Sequence, residues 1–208
     1  LSIHTIDAYK RDIKKLGQYF TSIENPKNPK DIQYEDFMGF LAQLHQEKIS
    51  ARTQSRIISS IKSFYKFLFL EKEITTNPSD LIESPKIGKK LPEFLTIDEI
   101  DLLIQSIDRS KKEGERNLAM LEVLYGCGLR VSELIDLKIS EIYWKEGFIR
   151  IIGKGNKERL VPLGKIASKH LNIYIKEVRV HQKNIKEQFI DHVFINKNGT
   201  KLSRVMIF

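Results

Sequence analysis

The sequence predicts a mainly α-helical protein in two units, the second carrying a small antiparallel β element. Three observations point there. Over residues 1–83, apolar side chains recur three and four positions apart, the spacing of one helix face. A stretch rich in proline, glycine and lysine, "ESPKIGKKLPEF", then interrupts the pattern. Near residues 148–163 the apolar period shortens to that of strands, and helical spacing afterwards returns.

The first unit, residues 1–83, is helical throughout. Ser2 stands where a cap is needed for a helix with Ile6, Tyr9, Ile13, Leu16 and Phe20 on one side. "TSIENPKNPKDIQ" breaks it with two prolines, and a second helix carries Phe37, Phe40, Leu41 and Leu44. Ser50 opens a third, with Ile57, Ile61, Phe64, Tyr65 and Leu68 facing a core. "NPSDLI" predicts a short fourth helix after Pro78. Residues 84–93 form a basic linker.

The second unit, residues 94–208, opens with a capping box between Thr96 and Glu99. "NLAMLEVLY" predicts a buried helix ending at Gly126, with Tyr125 in the core. The next segment, "CGLRVSELIDL", starts a further helix with Arg130 in its first turn. "GFIRII" and "RLVPL" read as strands joined by the glycine turn "GKGNKE". A helix from about Ile166 to Val180, a strand at "HVFI" and a new helix capped by Ser203 complete the pattern. The chain stops at Phe208 inside that apolar helix, which suggests that the sequence continues beyond it.

Composition narrows the partners. The 208 residues carry 35 Lys/Arg against 27 Asp/Glu, a net charge of +8 that favours an acidic partner. Residues 1–83 hold 12 basic against 11 acidic side chains, and residues 84–208 hold 23 against 16, so the excess sits in the second unit. Cys127 is the single cysteine, which excludes an internal disulfide and reads as a small buried side chain. His170, His181 and His192 recur every eleven residues, but three helical turns span roughly 16 Å, too far for one metal ion. Apolar runs such as "FYKFLFL" are too short for a bilayer, and the N-terminal stretch lacks a signal-peptide core. A soluble, cytoplasmic protein is expected.

Two clusters carry chemistry. A cation in the first turn of a helix faces the positive end of the dipole, so Arg130 needs either a neutralising acid or an incoming anion. Glu133, three residues on, shares its face and can orient the guanidinium. The planar fork of arginine suits the non-bridging oxygens of a phosphate, whereas a plain surface ion pair is the alternative. The hairpin gathers Arg150, Lys154, Lys157 and Arg159 with Glu158 as its acid. A lysine between glycines at such a tip can enter a DNA groove or protonate a leaving oxygen; a solvated basic turn is the alternative. "GKGNKE" lacks the spacing of a nucleotide-cradling P-loop. In the first unit Arg52, Thr53 and Arg56 lie off the apolar stripe and are candidate DNA contacts, with an exposed solubilising face as the alternative.

"YGCGLRVSELIDLK" followed by "FIRIIGKGNKERLVPL" resembles the catalytic domain of the tyrosine recombinases, the phage-type integrases and Xer-like enzymes. "SIHTIDAYKRDIKKL" and "SARTQSRIISSIKSFYKFL" resemble that family's helical, SAM-like core-binding domain. The resemblance implies a site-specific DNA recombinase. Such an enzyme cuts and rejoins double-stranded DNA through a 3′-phosphotyrosyl intermediate, as a tetramer on paired sites, without a nucleotide or metal cofactor. It implies that Arg130 clamps the scissile phosphate, that Glu133 supports it, and that Lys154 is the general acid. Lys157 and Arg159 are expected to contact DNA. The family's His-x-x-Arg motif and nucleophilic tyrosine have no counterpart among these residues, where the seven tyrosines stand in other contexts. The 208-residue chain alone is therefore expected to bind DNA without cleaving it. A non-catalytic DNA-binding accessory protein of the same fold and a basic helical scaffold are the competing readings. Target site and biological role stay open.

Overall fold

The computed structural model describes residues 3–88, 91–153 and 155–207; Ser2, the expected cap, lies outside them. The chain divides into two compact units, Leu1–Pro92 and Glu93–Phe208. Among the described residues it is mainly helical, with one small antiparallel sheet.

In the first unit, helices α1 (Ile3–Ser22), α2 (Tyr34–Gln46) and α3 (Ala51–Leu70) enclose one core. Leu16 and Phe20 of α1, Phe37, Phe40 and Leu44 of α2, and Ile57, Ile61 and Tyr65 of α3 are buried together. Phe37 and Tyr65 meet edge to face at 5.3 Å, the arrangement ring quadrupoles favour. The Tyr65 hydroxyl donates to Pro29 O at 3.0 Å, giving the buried phenol its partner. Ser50 caps α3 as expected, its Oγ accepting from Thr53 N.

The short helix expected at "NPSDLI" does not form; residues 78–81 are a turn. The Asn77 side chain accepts from Ser79 N at 3.1 Å and Ser79 Oγ at 2.8 Å, as a helix cap would, but Asp80 N and Ile82 N donate three residues back, to Asn77 O and Ser79 O, and Pro85 leaves too few residues for a helix to propagate. The segment makes a turn and sends Ile82 into the core instead.

The second unit begins with α4 (Ile97–Gln105). Its capping box forms: Thr96 Oγ1 accepts from Glu99 N, and Glu99 Oε2 accepts from Thr96 N at 2.8 Å. Helix α5 (Gly114–Cys127) lays Leu118, Ala119, Val123 and Cys127 against α7 (Lys165–Ile173) and Tyr174. The expected end at Gly126 is corrected by one residue, to Cys127. Gly128, at φ +58°, adopts the left-handed turn that ends the helix, a conformation a Cβ would disfavour. Tyr125 is half exposed, contrary to expectation, because it lies off the buried stripe of α5.

Strands β1 (Ile142–Tyr143), β2 (Phe148–Ile152) and β3 (Glu158–Pro162) pair antiparallel in that order. The register opposes Ile151 to Arg159 and Ile149 to Val161. Helix α7 continues through a π turn at Tyr174–Val178 and a 3-10 turn at Arg179–His181, so the expected helix exists but changes winding.

"HVFI" is not a strand. Val193, Phe194 and Ile195 are buried in succession, and His192 and Ile195 bridge to two different segments, at Lys138 and Lys201, so among the described residues no continuous ladder runs along the stretch. Arg179 Nε donates to His192 O and Val193 O at 3.0 and 3.1 Å, doing for those carbonyls what a ladder would do. Isolated bridges Lys138–His192 and Ile195–Lys201 are all the pairing described there. After Ser203 the chain makes one 3-10 turn, Arg204–Met206, without a side-chain cap. Among the described residues no helix is long and apolar enough to cross a membrane.

Candidate active site

The site is built where α5 hands over to the next helix. Gly128 reverses the chain, and buried Leu129 anchors it. Arg130 then takes extended backbone angles, φ −72° and ψ 150°, immediately before α6 (Val131–Ile135). The expectation of Arg130 in a first helical turn is thus corrected: it occupies the N-cap. Because α6 has five residues, its dipole is a minor influence, and the side chains decide the electrostatics.

Glu133 is the centre of that arrangement. It is buried, and each carboxylate oxygen accepts two hydrogen bonds. Oε2 receives Arg130 N at 2.8 Å and Arg159 Nη2 at 2.8 Å. Oε1 receives Arg130 Nη1 at 2.9 Å and Arg159 Nη1 at 2.6 Å. The Arg159 bonds, with those from Arg130 behind them, hold the carboxyl down to about pKa 2 against the opposing effect of burial. Two guanidinium groups around one carboxylate leave a net charge of +1. Arg130, 72 % exposed, presents that charge to solvent, whereas Arg159 is 38 % exposed.

The hairpin end adjoins this cluster. Gly153 N donates to Lys157 O at 2.8 Å, closing the turn. A Cβ at Gly153 would lie 3.6 Å from both Glu133 Oε1 and Arg159 Nη1, so the residue preceding Lys154 touches the site. Lys154 itself lies outside the described residues. Gly155 and Asn156 turn the chain through positive φ, +77° and +58°, which glycine and asparagine tolerate best. Lys157 is exposed.

Two further candidate arginines, Arg150 and Arg56, have acidic partners. Arg150 Nη2 donates to Glu141 Oε1 at 2.8 Å, and Nη1 is 3.5 Å from Glu158. In the first unit, Arg56 is ion-paired with Asp12, which is buried and also accepts from Ser60 Oγ at 2.7 Å. Thr53 is half-buried and engaged with the Ser50 cap. Of the three candidates there, Arg52 is the exposed cation with no described partner holding it.

Sequence reasoning found Arg130 with Glu133 but missed Arg159 with Glu133. A partial signal existed. Along β3, Arg159 and Val161 are half-buried while Glu158, Leu160 and Pro162 are exposed, so the strand period places Arg159 on the inner row. A guanidinium there requires an acid. Cys127 is buried, as expected, and burial pushes its thiol pKa up.

The model of the phage integrase family matches residues 93–207, and that of the phage integrase N-terminal SAM-like domain matches residues 1–72. The tyrosine recombinase XerD of Oceanobacillus iheyensis is 44 % identical over 206 residues, covering 98 % of this chain and 68 % of that protein. That of Listeria monocytogenes serotype 4b is 39 % identical over 204 residues, with the same coverage. Among solved structures, XerH site-specific recombinase bound to palindromic difH substrate superposes with a TM-score of 0.75 at 24 % identity, over 97 % of this chain and 59 % of that one. A lambda integrase dimer bound to a COC′ core site gives 0.72 at 19 % identity, over 100 % and 69 %. The structural likenesses establish the fold. The chain belongs to the phage integrase family of tyrosine recombinases, which are site-specific DNA recombination enzymes.

Proposed function

We propose that residues 94–208 form the phosphate-clamping part of a recombinase active site, that residues 1–83 grip duplex DNA, and that residues 84–93 connect them. The supporting observation is the open Arg130 guanidinium backed by a buried carboxylate, in a cluster of net charge +1. Such a group can donate to the non-bridging oxygens of a phosphodiester and stabilise charge that grows there during attack.

In this reading a tyrosine hydroxyl attacks the scissile phosphorus, forming a 3′-phosphotyrosyl bond as the phosphorus–5′-oxygen bond breaks. Lys154 gives the departing oxygen its proton, Arg130 holds the phosphate, and Glu133 holds Arg130. Rejoining is the reverse, with a 5′-hydroxyl of the partner strand as nucleophile. Bond energy is conserved, so the residues need no nucleotide or metal. Four protomers on two sites in the cytoplasm complete the assembly. We assign the nucleophile to none of the seven tyrosines. Tyr65 and Tyr174 are buried, and burial pushes both hydroxyls above their ordinary range. Arg52 and Lys157 serve as DNA contacts, joined less directly by Thr53 and Arg56.

The test uses the complete gene product and a nicked duplex chosen from random sequence by that protein. A covalent complex resistant to denaturant, with protein on the 3′ phosphate and a free 5′ hydroxyl, is the expected result. Tight, sequence-selective binding with no covalent complex would favour the accessory-protein reading. Salt-insensitive, weak binding would exclude both.

A further inference from the structure

We propose that Arg159 is a positioning residue of the recombination reaction: it fixes Glu133, and through it Arg130, while locking the β2–β3 hairpin beside them. The inference rests on the phosphate-clamp reading and deepens it, since Arg159 on sequence grounds is simply one more DNA contact.

Three observations carry it. Arg159 directs both Nη groups at Glu133, at 2.6 and 2.8 Å, and stands on the inner row of β3 opposite buried Ile151. It is about half as exposed as Arg130, 38 % against 72 %, so the two guanidinium groups face different surroundings. Gly153, next to Lys154 in the chain, has its Cβ position 3.6 Å from Arg159 Nη1. One carboxylate and one guanidinium thus join α6, β3 and the root of the hairpin turn.

The geometry explains why arginine is required. With Arg159 present, the two oxygens of Glu133 are fixed by a planar fork, and Arg130 reads that orientation through its own N and Nη1. A lysine keeps the charge but is a point donor, unable to reach both oxygens in one plane. The carboxylate could then rotate about its last bond, and Arg130 would lose its fixed direction. Displacements on the scale of 1 Å can cost on the order of 10²-fold in rate.

The experiment compares wild type, Arg159→Lys and Arg159→Gln in the complete gene product on the selected nicked duplex. Duplex affinity is read by fluorescence anisotropy, and single-turnover cleavage at saturating protein by the covalent complex. Expected is that Arg159→Lys binds within about threefold of wild type yet cleaves on the order of 10²-fold more slowly. Circular dichroism verifies folding, and Arg159→Gln gives the same reading should the lysine variant fold poorly. Loss of affinity with an unchanged saturating rate would make Arg159 a DNA contact and overturn the proposal. Wild-type values for both variants would do the same. Absence of cleavage by wild type would instead remove the recombinase reading on which the proposal stands.

Discussion

Arg159 meets both oxygens of Glu133, Nη1 to Oε1 at 2.6 Å and Nη2 to Oε2 at 2.8 Å, joining strand β3 to helix α6. The same carboxylate receives Arg130, so a buried acid is shared between one guanidinium that is half covered and one that is open. This arrangement does two things. It satisfies a charge that burial would otherwise penalise, and it aims Arg130 outward with positive charge to spare.

The shared carboxylate makes stability depend on acid. Glu133 has its pKa lowered from 4.5 to about 2, so its contribution is complete above the unfolded value and disappears as pH falls from 4.5 toward 2. A shift of that size corresponds to about 3 kcal/mol as an upper estimate. Glu133→Gln should therefore be less stable than wild type at neutral pH, and the difference should vanish near pH 2. Urea unfolding across that range checks it; a gap independent of pH would contradict the ion pair.

Two glycines with similar backbone angles should respond differently to alanine. Gly199, at φ +73°, would place a Cβ 1.8 Å from Asn184 O, whereas Gly147, at φ +71°, has open space around it. Gly147→Ala should cost about 1–2 kcal/mol from backbone strain alone. Gly199→Ala adds a clash with backbone and should cost at least about 2 kcal/mol more. Thermal unfolding of both variants measures the difference.

In the first unit, ion pairing separates two neighbouring arginines. Arg52 is exposed, so Arg52→Ala should weaken duplex binding and lower the slope of log affinity against log salt by about one. Arg56 is paired with Asp12, so Arg56→Ala should barely change that slope. Its effect should be on stability, about 1–3 kcal/mol, because Asp12 is left buried with Ser60 as its remaining described side-chain partner. Salt titrations and urea unfolding of the two variants give the four numbers needed.

Local relationships were legible in the sequence, and distant ones were less so. Phe37, Phe40 and Leu44 follow helical spacing and are buried; Thr96, with Glu99 in the first turn, caps α4. Arg130 and Glu133 are close in sequence and meet in space. The pairs that escaped, Arg159 with Glu133 and Arg56 with Asp12, join elements far apart in the chain. For the first, the strand period sets Arg159 beside Val161, but apolar Leu160 in the alternate row leaves the inward face undecided in the sequence. After Pro78 the cap forms but the helix does not propagate, because Pro85 follows within two turns. The strand expected at "HVFI" fails because its two ends bridge to different segments, at Lys138 and Lys201, and among the described residues no single neighbour runs alongside it. In both cases apolar composition was read correctly and backbone form was not.

Single-turnover strand cleavage by the complete gene product, wild type against Arg130→Ala, tests the central claim most directly. A phosphate clamp predicts a saturating cleavage rate lower by about 10²–10³-fold, with the fold intact and duplex affinity changed far less. Cleavage by Arg130→Ala at the wild-type rate would contradict it, and would leave the Arg130–Glu133 pair as a structural feature of the turn.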